Sequence, residues 1–186
     1  MANIRGCDLP EDLYYYTDKH IWVKPLGDGL VRVGMNTIAV KLTGGKLTAI
    51  TVSAKKVGKD IAQGKSIATL ESSKFVGPVP APISGVLVRG NDQVAADPNL
   101  AINDPYGEGW IAEMQASNWE TESSGLVTGA DPEWAKVAGM HAQAFLMASL
   151  RGTLRRRFPE LAQAELNMKV LAYLTPVEMT FWKGTE

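Results

Sequence analysis

Ser66-Ile67-Ala68-Thr69-Leu70-Glu71-Ser72-Ser73-Lys74-Phe75-Val76-Gly77-Pro78-Val79-Pro80-Ala81-Pro82-Ile83-Ser84-Gly85-Val86-Leu87-Val88 is the stretch on which the reading of this chain turns. An apolar, strand-like run leads into Glu71, and a second one begins at Gly85. Between them Lys74 stands among small polar residues, so the pattern predicts a lysine presented at a turn between strands. One amine held out on a hairpin is the geometry a carrier needs to receive a long prosthetic arm. Glu-Ser-Ser-Lys alone carries little weight, because four-residue motifs recur freely. The surrounding hundred residues give it meaning.

Hydrophobic residues make up 45% and charged residues 21% of the 186, the balance of a globular protein with room for one core and an appendage. A net charge of −1 gives no whole-chain basic excess for nucleic acid. No apolar run approaches the roughly 18 residues of a membrane span. The start, Met1 to Cys7, lacks an apolar signal segment, which predicts a cytoplasmic protein. Cys7 is the only cysteine and His20 and His141 the only histidines, so no metal site or catalytic triad is expected.

From about 13 to 116 the chain reads as short strands, with Tyr14 to Tyr16, Ile21 to Val23 and Leu30 to Val33 among them. Gly27-Asp28-Gly29 marks a turn. Asn36 to Leu42 is expected to form one or two helical turns, and Leu47 to Val52 alternates as a half-buried strand does. The stretches 58–68 and 90–101 resemble each other weakly, each with a turn, an aliphatic residue, a second turn and an apolar strand start. Such a repeat suggests a quasi-two-fold sandwich. Residues 119–130 are polar and read as a linker or wrapped loop. Asp131-Pro132-Glu133 is a helix start, with Asp as cap and Pro first. Apolar rows follow at helical spacing, Arg155-Arg156-Arg157 suits the last turn, and Pro159 ends the helix. A second helix is expected from Glu160 to about Leu174.

Five blocks carry a resemblance. Tyr16-Thr17-Asp18-Lys19-His20-Ile21-Trp22-Val23, Val33-Gly34-Met35-Asn36, Leu70 to Lys74, Ala81-Pro82-Ile83-Ser84-Gly85 and Asn103-Asp104-Pro105-Tyr106-Gly107-Glu108-Gly109-Trp110 resemble, in order and spacing, the H proteins of the glycine cleavage system. The resemblance implies a mainly β fold, a barrel-sandwich hybrid; the C-terminal helical extension is read from the residues and exceeds the family's usual single short helix. With the composition shift after 118, the expected domains are a carrier domain at 8–118, the linker or wrapped loop at 119–130 and the helical extension at 131–186. The resemblance also implies lipoate in amide linkage to Lys74, with Glu71, Ser72, Ser73 and Phe75 forming the attachment hairpin. The cofactor would supply the redox chemistry and the protein its presentation, which accounts for a non-catalytic chain with few reactive residue types. Biotin carriers place methionines beside the lysine; Ser73 and Phe75 favour lipoyl.

The chain departs from glycine cleavage carriers at three expected cleft positions. Ile21 stands where a glutamate usually follows the histidine, Ile38 where a polar residue is common, and Pro78 where an aspartate is frequent. A cationic aminomethyl arm would meet no carboxylate there, and burying its charge would be costly. The run Lys74 to Pro82 is similar to the lipoate-binding proteins of sulfur-oxidising prokaryotes. That similarity implies a heterodisulfide-reductase-like complex and lipoate-attaching enzymes as partners and a sulfur-derived cargo. A glycine cleavage carrier and an unmodified scaffold are the alternatives.

His20 could line the cleft, though a half-buried strand residue is the preferred reading. Trp22, Tyr106 and Trp110 are expected as core and turn anchors, and Cys7 as a free thiol without a role. Asp104 and Glu108 could be an acidic edge or a solvated loop. The arginines at the helix end read as solvated, because one cluster without stacking aromatics is no nucleic-acid signature. The apolar rows of 131–174 could pack on the β domain, form an oligomer or dock a partner.

Overall fold

The computed structural model describes residues 2–4, 7–73 and 76–172; Lys74, Phe75 and the end of the second expected helix beyond Ala172 lie outside them. Two compact units are present, Met1–Ala138 and Gly139–Glu186.

In the first unit β1 (Ala2–Ile4) pairs with β2 (Cys7–Leu9). The three early strand runs form an antiparallel meander of β3 (Tyr14–Tyr16), β4 (Ile21–Gly27) and β5 (Leu30–Met35). Gly27, Asp28 and Gly29 join β4 to β5 with φ of 106°, 50° and 74°, the left-handed region that glycine and aspartate tolerate best. Across the middle of β5, Val31 and Val33 turn inward and Arg32 stays half exposed, the two-residue alternation of a half-buried strand. The second sheet comes next in the chain, with β6 (Ala49–Val52), β8 (Ser66–Glu71) and β9 (Val76–Pro80) in the order β6-β8-β9. The remaining strands, β7 (Asp60–Ile61), β10 (Gly85–Gly90), β11 (Ala112–Ala116) and β12 (Val127–Thr128), complete the larger sheet. Its order is β12-β3-β4-β5-β11-β10-β7, and every pairing is antiparallel.

The two sheets share one core. Val33, Leu87 and Met114 of the larger sheet and Ile67, Leu70 and Val79 of the smaller one belong to a single buried cluster. Full burial of each such side chain stabilises by about 1.5–3 kcal/mol relative to leaving it exposed. Trp22 is fully buried and donates its Nε1–H to the Pro105 carbonyl at 2.9 Å. Its ring lies against Gly34, where an added Cβ would stand 2.6 Å from Cζ2. The expected fold class, a mainly β barrel-sandwich hybrid with C-terminal helices, is what the chain adopts.

α1 (Thr37–Leu42) follows Asn36, whose side-chain oxygen accepts the N–H groups of Ile38 and Ala39 at 3.1 and 3.0 Å. The internal repeat is corrected by the structure. Its first copy leads into β8, but the second becomes α2 (Asp92–Ala96) and α3 (Leu100–Asn103). Asn91 causes the difference: its Oδ1 accepts the Gln93 N–H at 3.0 Å and caps α2, while its Nδ2 donates to the Trp110 carbonyl at 2.8 Å.

The first unit extends past residue 118 because the polar segment packs on it. α4 (Trp119–Glu122) sets Trp119 edge-on to Tyr14 with centroids 5.1 Å apart. Leu126 joins the core, β12 pairs with β3, and Trp134 lies 5.3 Å from Tyr15. α5 (Pro132–Arg157) begins as its sequence predicts, with Asp131 Oδ1 accepting the Glu133 N–H at 2.8 Å.

In the second unit α6 (Gln163–Ala172) starts later than Pro159-Glu160. Arg155 donates to the Leu161 carbonyl at 2.6 Å, holding the intervening residues as a turn, and the Ala162 N–H is capped by Glu165 at 3.0 Å. Among the described residues no helix is long and apolar enough to cross a membrane.

Candidate functional site

β8 and β9 form a hairpin in which Leu70 pairs with Gly77 and Glu71 with Val76. Four residues, Ser72 to Phe75, connect them. Of these, Lys74 and Phe75 lie outside the described residues. Ser72 is buried and Ser73 is an exposed bend. Glu71 is half-buried, and its carbonyl accepts the Thr48 N–H at 2.9 Å, so the stem is also tied to the segment before β6. β9 lies at the edge of its sheet, where Pro78 and Pro80 are tolerated because one side of an edge strand needs no N–H donor.

A cleft of 420 Å³ opens beside this hairpin. Leu70 and Pro78 form one wall, Ile21 of β4 and Met35 of β5 another, and Ala39 and Leu42 of α1 a third; Lys19 and His20 also border it. Ile21, Pro78 and His20 are the residues expected here from the sequence. His20 is half-buried and occupies the turn before β4 rather than the strand. Its φ is 57°, a left-handed conformation in which histidine is several-fold enriched among residues with a side chain. The Asn36 N–H donates to the His20 carbonyl at 2.9 Å and fixes the turn against α1.

Ile38 is corrected: it is 1% exposed and does not border the cleft. Helical spacing turns Ala39 and Leu42, three residues apart, to the cleft and Ile38 inward. Lys19, Met35, Ala39, Leu42 and Leu70 were not anticipated. Lys19 could have been, since it adjoins His20 and Ile21 in the same block.

Apart from Lys19 and His20 the walls are uncharged, and no Asp or Glu borders the cleft among the described residues. Such walls fit the methylene chain of an acyl arm, which gains by leaving water.

The remaining residues singled out from sequence serve the frame. Cys7 is buried in β2, and burial pushes its thiol pKa up, against the lowering influence of Lys41 and Thr37. Tyr106 donates its hydroxyl hydrogen to the Asp8 carbonyl and accepts the Thr37 N–H at 3.0 Å. Burial pushes its pKa up to about 12, so it remains a donor at neutral pH. Asp104 accepts the Glu108 N–H at 2.8 Å and closes its own loop. Arg32 and Arg89 lie over the Trp110 ring at 4.6 and 5.0 Å and both bond Glu113. Among the described residues no group of three or more His, Cys, Asp or Glu could hold a metal ion.

Comparison with known proteins adds a lineage to this geometry. A family profile described as glycine cleavage H-protein matches residues 14–137. Glycine cleavage system H protein 5 of Aquifex aeolicus is 45% identical over 131 residues, covering 68% of this chain and 86% of that protein. A probable glycine cleavage system H protein 2 of Sulfolobus acidocaldarius is 44% identical over 126 residues, with 67% and 82% covered. The crystal structure of a glycine cleavage system H protein from Mycobacterium marinum superposes with a TM-score of 0.60 at 32% identity, covering 70% of this chain and 99% of that one.

Proposed function

Because the chain belongs to the glycine cleavage H-protein family, we propose that it is a cytoplasmic lipoyl carrier with its arm in amide linkage to Lys74. Members of this family are non-catalytic carriers that hold lipoate covalently on a lysine, and they work with lipoate-attaching and glycine cleavage enzymes. The observation that carries the assignment to Lys74 is the hairpin stem: Glu71 pairs with Val76, and Lys74 is the one lysine in the connection between them. Of the expected hairpin residues, half-buried Glu71 and exposed Ser73 are then the described ones open to a lipoate-attaching enzyme, while Ser72 is buried. When bound, lipoate supplies a dithiolane that can exchange with thiols. The chain supplies the stem that holds its lysine and the apolar cleft that takes its chain out of water.

The names of the relatives support carriage of an aminomethyl group in glycine cleavage. A second reading is favoured by the cleft itself. With no carboxylate among its described lining residues, it offers no counter-charge to a cationic amine. A sulfur-derived cargo delivered to a heterodisulfide-reductase-like complex suits these walls better. Loading decides between them: the lipoylated chain is incubated with glycine decarboxylase and labelled glycine, and the mass of the Lys74 peptide is read. Efficient methylamine loading supports glycine cleavage and sinks the sulfur reading. Failure to load, beside a control carrier that loads, sinks the glycine cleavage reading instead.

A further inference from the structure

Lys19 is the one ammonium bordering the cleft among the described residues, and it is exposed there. It ends the short turn Thr17–Lys19, and the left-handed backbone of His20 directly after it leads into β4. Asp18 lies on the same turn, Lys41 on α1 and Glu71 at the end of β8, but none of the three borders the cleft. Lys24 and Arg32 face each other farther along β4 and β5, where Arg32 is paired to Glu113. The wall formed by β9 carries no titratable side chain. The cleft is thus an apolar trough with an ammonium and an imidazole at its border.

We propose that Lys19 is a positioning residue for the reduced arm: it raises the fraction of a dihydrolipoyl sulfur of the cleft-bound arm that is present as the thiolate. The inference rests on the lipoyl carrier reading and is the same for either cargo. The step is an acid dissociation. The S–H bond breaks, its electron pair stays on sulfur, and the proton leaves to solvent. A neighbouring ammonium lowers thiol pKa by favouring the charged form. Lys19 is exposed at the border of the cleft, so solvent screens part of that attraction and the expected shift is small. A thiolate is the form that attacks a disulfide or an electrophilic carbon, so Lys19 prepares the arm for exchange before it leaves the cleft.

The test uses the full chain, lipoylated by a lipoate ligase, verified by mass and reduced with a phosphine. Thiolate absorbance and iodoacetamide reactivity are followed against pH in the wild type, Lys19→Gln, Lys19→Arg and Lys24→Gln. The expected result is an apparent thiol pKa higher by about 0.5–1 unit in Lys19→Gln, with Lys19→Arg and Lys24→Gln close to the wild type. Identical titrations for the wild type and Lys19→Gln overturn the role of Lys19 while leaving the carrier reading intact. A chain that the ligase cannot modify overturns the carrier reading, and this inference with it.

Discussion

Glu71 pairs with Val76 across the β8–β9 hairpin, which makes Lys74 part of a four-residue connection whose stem is built without it. The stem is fixed by strand pairing and by the bond from Thr48 to the Glu71 carbonyl. Lys74→Arg should therefore keep the fold and lose the arm, because a guanidinium is not acylated by a lipoate-attaching enzyme. Intact mass after ligase treatment should show no lipoyl increment, with a thermal midpoint like that of the wild type. A lipoyl increment on the variant would place the arm on another lysine.

Asn36→Ala tests the link between a helix cap and the cleft. Asn36 is fully buried and satisfies the N–H groups of Ile38 and Ala39. Its own N–H holds the His20 carbonyl, so one residue joins α1 to the turn that bears Lys19 and His20. Loss of such a cap costs about 0.5–2 kcal/mol. Denaturant unfolding should show a destabilisation in that range. Asn36→Ser, which keeps a neutral capping oxygen, should lie nearer the wild type.

The strands and α1 were legible because each is a local pattern: alternation in β5, Gly27-Asp28-Gly29 at its turn, Asn36 before an apolar run. The hairpin was legible for the same reason. Ile38 was misplaced because matching it to a polar position in related carriers says nothing about which face of α1 it occupies. For His20 the sequence leaves cleft and strand both open, with its strand-forming neighbours favouring the strand; the left-handed turn that brings it to the cleft depends on contact with Asn36, sixteen positions on. The second copy of the repeat failed because Asn91 finds carbonyls on a distant loop, at Glu108 and Trp110. From its polar residues the 119–130 segment reads as a linker or a wrapped loop; the choice between them rests on three anchors, Trp119, Leu126 and Val127, that bind only once β3 and the core exist.

Glu113 gives a pH prediction. It is nearly inaccessible, and burial by itself would raise its pKa. The hydrogen bonds from Arg89 at 2.7 Å and Arg32 at 2.9 Å outweigh this and hold it below the usual glutamate value of 4.5. A carboxyl whose folded pKa is depressed contributes stability that is complete above its unfolded value and disappears as pH falls through the folded one. Stability of the wild type should therefore decline below pH 4.5 more steeply than that of Glu113→Gln. At neutral pH the variant should be weaker, by about 1–3 kcal/mol, because two guanidiniums lose a charged acceptor. Parallel urea titrations at neutral and acid pH provide both readings, and equal pH slopes would contradict the assignment.

Pro78→Asp tests whether the charge of the cleft decides what the arm can carry. Pro78 is exposed, lies on the edge strand β9 and borders the cleft. Its ring gives the strand no N–H, so aspartate adds a donor there without disturbing buried packing, and the change in stability should stay within about 0.5 kcal/mol. The new carboxylate faces a trough whose described walls hold none. An ammonium at the end of an aminomethylated arm would gain an opposite charge and should leave the cleft more slowly. Chemically methylaminated wild-type and Pro78→Asp chains should then differ in spontaneous loss of methylamine, with the variant holding its load several-fold longer at low salt. The difference should shrink as salt is raised, because a partly exposed pair is screened. Equal rates at all ionic strengths would mean that a loaded arm does not lie in this cleft, and that the missing carboxylate does not govern the choice of cargo.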